Sequence, residues 1–354
     1  MKKWKEFLFT GYLFFMLSIA GLTQVKDMTG AEQAVDVRLD AAGSGRWALA
    51  IHGGAGGTAL KTMPPEVEKM YTDSLNRALD IGSAILKNGG TSMDAVEAVV
   101  KFMEDCPIFN AGRGAVLTDE GKVELDAAIM DGASGKAGAV ADVTTIKNPI
   151  GAARAVLEKS RYVLLVDGGA EQFAKAQGLK IVDNSYFITK DQQEKWNKNK
   201  QLQKETKPEN NESKTGKSGG TVGAVALDQK GNLAAATSTG GVMNKMHGRV
   251  GDSPQIGAGT YANNQTCAVS ASGTGEFFIR NVVAYDISAQ MEYKGMALRD
   301  VLKYEIMERL RSRGGDGGAI AIDREGNIAM EFNTAMMFRG FAKSEGEREV
   351  RIYP

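Results

Sequence analysis

A lysine-rich stretch divides the apolar sequence of this chain into two parts. Residues 190–217 contain eight Lys and five acidic residues, with Trp196 and Leu202 as their clearly apolar members. This composition cannot bury enough apolar surface to form a core, so a flexible polar linker is predicted over residues 190–220. Strand-like sequence resumes abruptly at Thr221, directly after two glycines. One domain is therefore predicted from two portions, residues 46–189 and residues 221–354.

Strands and helices follow one another on both sides of the linker. A strand is predicted over residues 47–52, a helix from Pro65 to about Lys87, and a second helix capped by Thr91. After the linker, residues 225–233 and 320–328 each show strand, Asp-x-x-Gly-Asn turn and strand, which predicts two hairpins. Strands, helices and strands again indicate a layered α+β body with its sheets inside.

Charge and composition exclude several classes of function. The chain of 354 residues has 43 basic and 43 acidic side chains, which argues against a nucleic-acid partner. The two histidines rule out a His-rich zinc site, and any proposed catalyst should need little histidine. Cys106 and Cys267 lie too far apart in sequence for a zinc knuckle, and a disulfide or two free thiols remain equally open.

The N-terminus predicts export. Three lysines precede residues 7–20, of which 11 of 14 are apolar, and small residues follow. This pattern is typical of a cleaved signal peptide, predicted over residues 1–24, with an N-terminal extension over residues 25–45. The apolar run is too short to span a membrane. The mature protein is therefore expected to be periplasmic or secreted, without membrane attachment.

A glycine-rich turn at residues 53–57 invites comparison with a dinucleotide site. Residues 54–59 match G-x-G-x-x-A after a strand. The context is wrong, because a helix follows instead of a second strand with an acidic residue about 20 positions on. A tight turn with close backbone packing is the favoured interpretation, and no cofactor for catalysis is expected.

Thr221 at the head of a strand suggests a nucleophile that needs no histidine. A threonine hydroxyl is a poor nucleophile while its proton is held tightly. If the bond between Gly220 and Thr221 were cut, Thr221 would carry a free amine with a pKa of about 7.7–8.0. That amine could take the proton from its own hydroxyl, so that one residue would be both nucleophile and base.

Three downstream segments support this hypothesis. Residues 237–241 (Thr-Ser-Thr-Gly-Gly) would place hydroxyls beside Thr221 if the hairpin closes. Arg249 and Asp252 lie three residues apart in a glycine-bounded loop, a pair suited to the carboxylate and ammonium of an amino acid. Residues 270–276 form a small-residue turn before a helix, suited to presenting N–H donors to an oxyanion.

Together these segments resemble a known family. The chain is similar to the plant-type asparaginase / isoaspartyl peptidase branch of the N-terminal nucleophile hydrolases over roughly residues 46–340. The resemblance rests on residues 51–56 (IHGGAG), 109–114 (FNAGRG), 125–132 (LDA…MDG), 220–224 (GTVGA), 237–241 (TSTGG), 248–254 (GRVGDSP) and 272–275 (SGTG). At residues 332–336 the chain reads FNTAM where the family commonly has FNTEG, so the wall of the substrate pocket is expected to differ.

The resemblance implies a fold, an activity and a set of site residues. It implies a four-layer αββα sandwich, self-cleavage between Gly220 and Thr221, and an (αβ)₂ dimer of heterodimers acting on a small-molecule or dipeptide substrate. The implied reaction releases aspartate from isoaspartyl dipeptides and L-asparagine through an acyl-Thr221 intermediate. The implied site consists of Thr221 as nucleophile, Thr239 beside it, Arg249 and Asp252 for substrate, Ser272 and Gly273 as oxyanion hole, and Asn110 and Gly275 in support. The implied backbone ligands of a structural sodium ion are Met103, Glu104, Cys106, Phe109, Ala111 and Arg113.

Two alternatives stay open at this stage. Within the same chemistry, the chain could be a glycosylasparaginase, although residues 239–241 and 273–276 look more like the asparaginase branch. In a different class, it could be an exported protein that binds an amino acid through Arg249 and Asp252 without any reaction. Self-cleavage at Thr221 separates the enzyme from the binding protein.

Overall fold

A computed structural model describes residues 45–56, 63–205 and 220–354 of the chain. The predicted signal peptide, almost all of the N-terminal extension and residues 206–219 of the linker lie outside the described residues. The strands are β1 (Ala48–Gly56), β2 (Leu125–Asp131), β3 (Ala137–Val143), β4 (Leu164–Val166), β5 (Val222–Leu227), β6 (Leu233–Thr239), β7 (Thr260–Ala262), β8 (Cys267–Gly273), β9 (Gly317–Asp323), β10 (Ile328–Phe332), β11 (Met336–Lys343) and β12 (Arg348–Arg351). The helices are α1 (Pro65–Lys87), α2 (Ser92–Asp105), α3 (Pro149–Lys159), α4 (Asp167–Ala176), α5 (Lys190–Glu205), α6 (Gly275–Asn281), α7 (Val283–Lys294) and α8 (Leu298–Lys303), which continues as a π-helical turn over Tyr304–Leu310, and a 3₁₀ turn covers Asn184–Tyr186.

The larger of the two sheets brings together strands from both sides of the linker. Its strand order is β12-β11-β1-β5-β6-β2-β3-β4, and its pairs are antiparallel except for β3 and β4. Strand β5, the first after the linker, pairs with β1 on one side and with β6 on the other. The start of β5 therefore lies near the middle of the sheet rather than at an edge.

Both predicted hairpins are present. The β5–β6 turn is closed by Asp228, whose carboxylate accepts hydrogen bonds from the backbone N–H groups of Lys230 and Asn232. The β9–β10 turn uses Asp323 in the same way, with Glu325 and Asn327 as donors. In each case a short acidic side chain satisfies the N–H groups that the tight turn leaves unpaired.

Three buried apolar clusters show where the layers meet. One lies between the larger sheet and helices α1, α2 and α3, and a second lies between the smaller sheet (order β10-β9-β8-β7) and helices α6, α7 and α8. The third contains side chains of both sheets, among them Ala50, Val225, Ala268 and Ile322. The predicted mixture of helices and sheets is confirmed.

The predicted flexible linker is wrong for its first sixteen residues. Lys190–Glu205 forms helix α5, because its Lys, Gln and Glu residues favour helix and form pairs such as Lys195 with Asp191, 2.6 Å apart. Trp196 attaches this helix to the rest of the chain, since its Nε1–H donates to the Thr118 carbonyl at 2.7 Å. Two further hydrogen bonds of 2.9 Å, from the Gln192 amide to the Gly114 carbonyl and from the Asn244 amide to Asn199, add to this attachment of a segment that composition alone assigns to solvent.

The structure also decides whether the strand at residues 162–166 is buried and whether the two cysteines form a disulfide. The apolar run at residues 162–166 suggests a buried strand, but β4 is an edge strand with Leu164 and Val166 exposed. Cys106 and Cys267 are free thiols, so the disulfide alternative is wrong for this structure. No helix in the described ranges is both long and apolar enough to cross a bilayer.

Candidate active site

Thr221 stands at the entrance of strand β5 and is almost completely buried. Its hydroxyl donates to the hydroxyl of Thr239 at 3.2 Å, and Thr239 is the last residue of the neighbouring strand β6. The pairing of Val222 with Ser238 in the sheet sets this distance. The Thr239 hydroxyl also accepts a hydrogen bond from the N–H of Gly241 at 2.9 Å, which holds it in place. The sheet thus brings the predicted hydroxyl pair together.

The carbonyl of Gly220, just before Thr221, lies in a cradle of polar groups. The side-chain amide of Asn110 donates to it at 2.7 Å, and the Thr239 hydroxyl lies 3.4 Å away. Asn110 is itself held by the Gly241 carbonyl at 2.8 Å and by the N–H of Val116, also at 2.8 Å. Asn110, predicted only to support the region, therefore contacts the peptide group predicted to be cut.

The glycine-rich turn after β1 has the packing role that the sequence favoured. A β-bulge between His52 and Gly54 turns the chain, and Gly54 has a φ of 114°. A Cβ on Gly54 would lie only 2.7 Å from the Cα of Gly220 and 3.0 Å from the nitrogen of Thr221. Gly220 also has a left-handed φ of 86°. Two glycine backbones thus touch at the junction, where any side chain would push Thr221 away.

A small pocket opens in front of the Thr221 hydroxyl, with about 220 Å³ of unfilled space. Five of the sequence-predicted residues line it together with residues of the same loops. The lining consists of Thr221, Thr239, Gly241, Val242, Arg249, Gly251, Asp252, Ser253 and Gly273. Residues more than 50 positions apart in sequence thus converge on one hydroxyl.

Asp252 lines this pocket and has one unpartnered carboxylate oxygen. The residue is 5% exposed, and its Oδ2 atom is buried without a hydrogen-bond partner. Burial raises the pKa of Asp252 to about 7, and the nearby Arg249 partly opposes that rise. An unsatisfied buried acceptor is costly for the free protein, so this carboxylate would gain from a cation in the pocket.

Arg249 reaches the same pocket but already has an anionic partner. Its guanidinium makes two parallel hydrogen bonds of 3.0 Å to the carboxylate of Glu276. The Arg249 side chain is 16% exposed, whereas that of Glu276 is 53% exposed. The arginine is therefore pre-oriented for a planar carboxylate, and a second carboxylate would have to share it with Glu276 or displace that side chain.

Strand β8 and the turn after it complete the wall. The Ser272 hydroxyl accepts a hydrogen bond from the N–H of Ala55 at 2.9 Å, which leaves its own proton available. Gly273 lines the pocket, and Gly275 lies where a Cβ would come within 2.7 Å of Asp252 and 3.0 Å of Arg249. Small residues are needed here because the charged side chains fill the space.

The residues implied as sodium ligands lie at the end of helix α2 and in the loop after it. This loop folds back on itself, since the N–H of Arg113 donates to the Glu104 carbonyl at 2.7 Å. The Glu104 side chain is fully buried, which raises its pKa to about 8. Asn110 lies on this loop, so the loop positions the amide that contacts Gly220.

A second group with metal-ligating side chains lies beneath the Arg249 loop. Glu124, Asp142 and His247 offer ligand atoms within 4.8 Å of one another. The buried ammonium of Lys245 lies 3.7 Å from the Glu124 carboxylate, and the His247 ring contacts its other oxygen. Lys245 already supplies positive charge here, so we interpret the group as an ion-pair cluster supporting the loop.

Two residues of the site escaped the sequence analysis. Glu276 was noted only as part of a small-residue turn, although it holds Arg249. His52 belongs to the sequence block at residues 51–56 without a predicted role, yet its Nδ1 atom lies 2.8 Å from the Thr221 carbonyl. The signal that could have found His52 is its position directly before the glycine turn, in the strand that meets the nucleophile.

Comparisons with known proteins identify the family of this chain. The family model described as asparaginase matches residues 45–352. An isoaspartyl peptidase of Salmonella typhimurium is 47% identical over 311 residues, which cover 86% of this chain and 98% of that protein. An isoaspartyl peptidase of Escherichia coli is 46% identical, covering 87% of this chain and 97% of its own length. The isoaspartyl peptidase/L-asparaginase of Homo sapiens is 41% identical, covering 86% and 96%. The chain therefore belongs to the asparaginase family, as its seven sequence blocks predicted.

Proposed function

We propose that this protein is a self-cleaving amidohydrolase that releases aspartate from isoaspartyl dipeptides and L-asparagine. The observation that carries the proposal is the meeting of the Thr221 hydroxyl, Arg249 and the unpartnered carboxylate of Asp252 around one pocket. The related proteins are named isoaspartyl peptidases or L-asparaginases, and they match nearly their whole length.

The first step is cleavage of the chain before Thr221. The Thr221 hydroxyl attacks the Gly220 carbonyl, the C–N bond breaks, and the freed amine takes up the hydroxyl proton. Asn110 donates to the carbonyl oxygen on which negative charge develops, from 2.7 Å. Water then hydrolyses the Gly220 ester. The products are a new C-terminus at Gly220 and a free amine on Thr221.

The second step uses the free amine as the base. It takes the hydroxyl proton of Thr221 while the oxygen attacks the side-chain amide carbonyl of the substrate. The Ser272 hydroxyl and the Gly273 N–H would donate to the oxyanion, while Thr239 holds the nucleophile. The amine leaves with a proton, and water attacks the acyl-Thr221 ester to release aspartate.

Substrate recognition divides between two charges. Arg249 would hold the α-carboxylate of the substrate through its fork of N–H groups, with Glu276 displaced or sharing the guanidinium. Asp252 would accept the α-ammonium, which supplies the partner that its Oδ2 atom lacks. A group that carries both charges on one carbon is an amino acid. Arg249 and Asp252 would therefore select aspartyl substrates over amides that lack these two charges.

The same proposal includes the architecture and the assembly. The three clusters support a four-layer αββα sandwich with the two sheets face to face. The family resemblance supports an (αβ)₂ dimer of heterodimers, which light scattering on the cleaved protein would test. The basic and apolar N-terminus supports export to the periplasm or medium, and sequencing the N-terminus of secreted protein would locate the cleavage.

A structural sodium ion is proposed for the loop at residues 103–113. The proposal rests on the family resemblance, which implies that the backbone carbonyls of Met103, Glu104, Cys106, Phe109, Ala111 and Arg113 would bind the ion, and on the hydrogen bond from the N–H of Arg113 to the Glu104 carbonyl that folds this loop back on itself. The ion would supply no chemistry to the reaction. The loop residues would hold Asn110 in place, and removal of sodium should lower the thermal unfolding temperature.

One experiment tests the proposal against its alternatives. Purified protein is analysed by gel electrophoresis and N-terminal sequencing, and assayed on a β-aspartyl dipeptide, L-asparagine and glycosylated asparagine. Two fragments, one beginning at Thr221, and activity on the first two substrates are expected. Preference for glycosylated asparagine would indicate a glycosylasparaginase. An intact chain that binds aspartate without reaction would indicate an exported amino-acid-binding protein.

A further inference from the structure

His52 is a fully buried histidine that contacts the backbone of Thr221. It lies on β1 opposite Gly223 of β5, two residues after Thr221. Its Nδ1 atom is 2.8 Å from the Thr221 carbonyl, and its Nε2 atom is 2.8 Å from the Ser270 hydroxyl. Both ring nitrogens are therefore engaged, one with the nucleophile residue and one with strand β8 of the smaller sheet.

Chemistry determines which atom donates in each of these bonds. A carbonyl can only accept, so Nδ1 carries the proton. Burial lowers the pKa of His52 to about 4, so the ring is neutral and Nε2 is an acceptor. Ser270 must then donate to His52, and its own oxygen accepts from the neighbouring hydroxyl.

The same direction of hydrogen-bond donation continues through two threonines. The hydroxyls of Ser270 and Thr237 are 2.7 Å apart, and because the Ser270 proton is already used, Thr237 donates. Thr260 then donates to Thr237 at 2.6 Å. The carbonyl of Ser253, the residue after Asp252, lies 3.0 Å from the Thr260 hydroxyl, but a carbonyl can only accept and the Thr260 proton is already used by Thr237. A one-way chain of hydrogen bonds thus runs from Thr260 to the carbonyl of Thr221.

Gly223 leaves the space in which His52 and Ser270 form their hydrogen bond. A Cβ on Gly223 would lie 2.0 Å from the Ser270 hydroxyl and 2.4 Å from the Nε2 atom of His52. Any side chain at this position would separate the two groups. The absence of a side chain at residue 223 is thus a requirement of the bond between His52 and Ser270.

We propose that His52 is a positioning residue for the nucleophile, with its tautomer set by the Thr221 carbonyl and its ring held in place by Ser270, Thr237 and Thr260, so that it fixes the peptide plane after Thr221. This inference rests on the proposed function. Cleavage removes the covalent link to Gly220, so the amine and hydroxyl of Thr221 then project from a chain end. The hydrogen bond from His52 holds the carbonyl of that end residue, and the sheet holds the next residue.

Two substitutions of His52 separate positioning from folding. An asparagine amide reaches the place of Nδ1 and can donate to the Thr221 carbonyl, whereas a glutamine amide reaches the place of Nε2 and satisfies Ser270 instead. His52→Gln should lower kcat about 10- to 100-fold through misplacement of the nucleophile, with KM changed less than about threefold. His52→Asn should restore kcat to within about tenfold of the wild type, although each variant loses one of the two bonds of the ring. Equal losses of kcat in the two variants would overturn the proposal.

A second measurement does not depend on activity or on the stability of those variants. The chain has only two histidines, so ¹⁵N NMR of histidine-labelled wild-type protein resolves each ring. His52 should show a protonated Nδ1 and an unprotonated Nε2 from pH 5 to pH 8, and Ser270→Ala, which removes the donor to Nε2 and loosens the ring, should lower kcat. A charged ring or the opposite tautomer would overturn the proposal. Failure of the proposed function would look different, because wild-type protein would then lack hydrolysis while its His52 spectrum stayed as expected.

Discussion

Removal of the Asn110 amide should block self-cleavage much more strongly than it destabilises the fold. In Asn110→Asp, the remaining Oδ1 can still accept from Val116, but the group that donates to the Gly220 and Gly241 carbonyls becomes an acceptor. Loss of one oxyanion donor typically costs about 2.7–4 kcal/mol, so the cleavage rate should fall about 10²- to 10³-fold. The Gly241 carbonyl loses its partner as well, which should cost about 1–3 kcal/mol of unfolding free energy.

Asn184 provides a matched control for this prediction. Its amide donates to the Val123 and Thr144 carbonyls, and its Oδ1 accepts from the N–H of Val123, so that none of these three hydrogen bonds involves Gly220 or Thr221. Asn184→Asp should therefore lower stability by a comparable amount and leave cleavage at the wild-type rate. The assay follows freshly purified uncut chain on gels over time, beside thermal unfolding of both variants. Cleavage of Asn110→Asp at the same rate as Asn184→Asp would refute the role given to Asn110.

Four further predictions concern the pocket and the buried carboxylates. Thr221→Ala should remain a single chain without activity, whereas Thr221→Ser should still cleave; gel electrophoresis distinguishes them, and processing of the alanine variant would contradict the nucleophile assignment. Arg249→Ala should raise KM at least tenfold and leave self-cleavage largely intact. Loss of both substrate binding and self-cleavage would indicate a folding role for Arg249 instead. Burial raises the pKa of Asp252 to about 7, and this carboxylate must be ionised to bind an ammonium group, so kcat/KM should fall as the pH drops below about 7. Asp252→Asn should have a low kcat/KM at every pH. A wild-type kcat/KM that stays constant from pH 5 to 8 would contradict this prediction. Burial also raises the pKa of Glu104 to about 8, above its unfolded value near 4.5. Between these two pH values the folded state binds more protons than the unfolded state, so the unfolding free energy should decrease as the pH rises from 5 to 8. Chemical denaturation of Glu104→Gln should show no such decrease.

The hairpins and the nucleophile were accessible from sequence because their signals are local. Turn chemistry at Asp228 and Asp323 depends on residues at most four positions away. Thr221 was accessible because it directly follows a change of composition. Helix α5 was missed for the opposite reason, since its order depends on the contact of Trp196 with Thr118, 78 residues away.

The edge strand β4 shows another limit of local pattern. An apolar run of five residues predicts burial, but burial depends on which strand of the sheet has a neighbour. Here β4 pairs on one side only, with β3, and its apolar side chains stay exposed. Periodicity alone carries no information about the position of a strand in the sheet.

Sequence by itself determined the family and predicted Thr221 as the nucleophile, the glycine-flanked junction before it and the charged residues of the pocket, because each depends on residue types at short spacing. Tertiary structure alone decided that Arg249 is held by Glu276, that Asp252 has an unpartnered oxygen, and that His52 contacts Thr221. These facts depend on side chains that meet across strands and loops far apart in the chain. Hydrogen bonding and burial act over a few ångströms of space, and folding sets those distances independently of separation along the sequence.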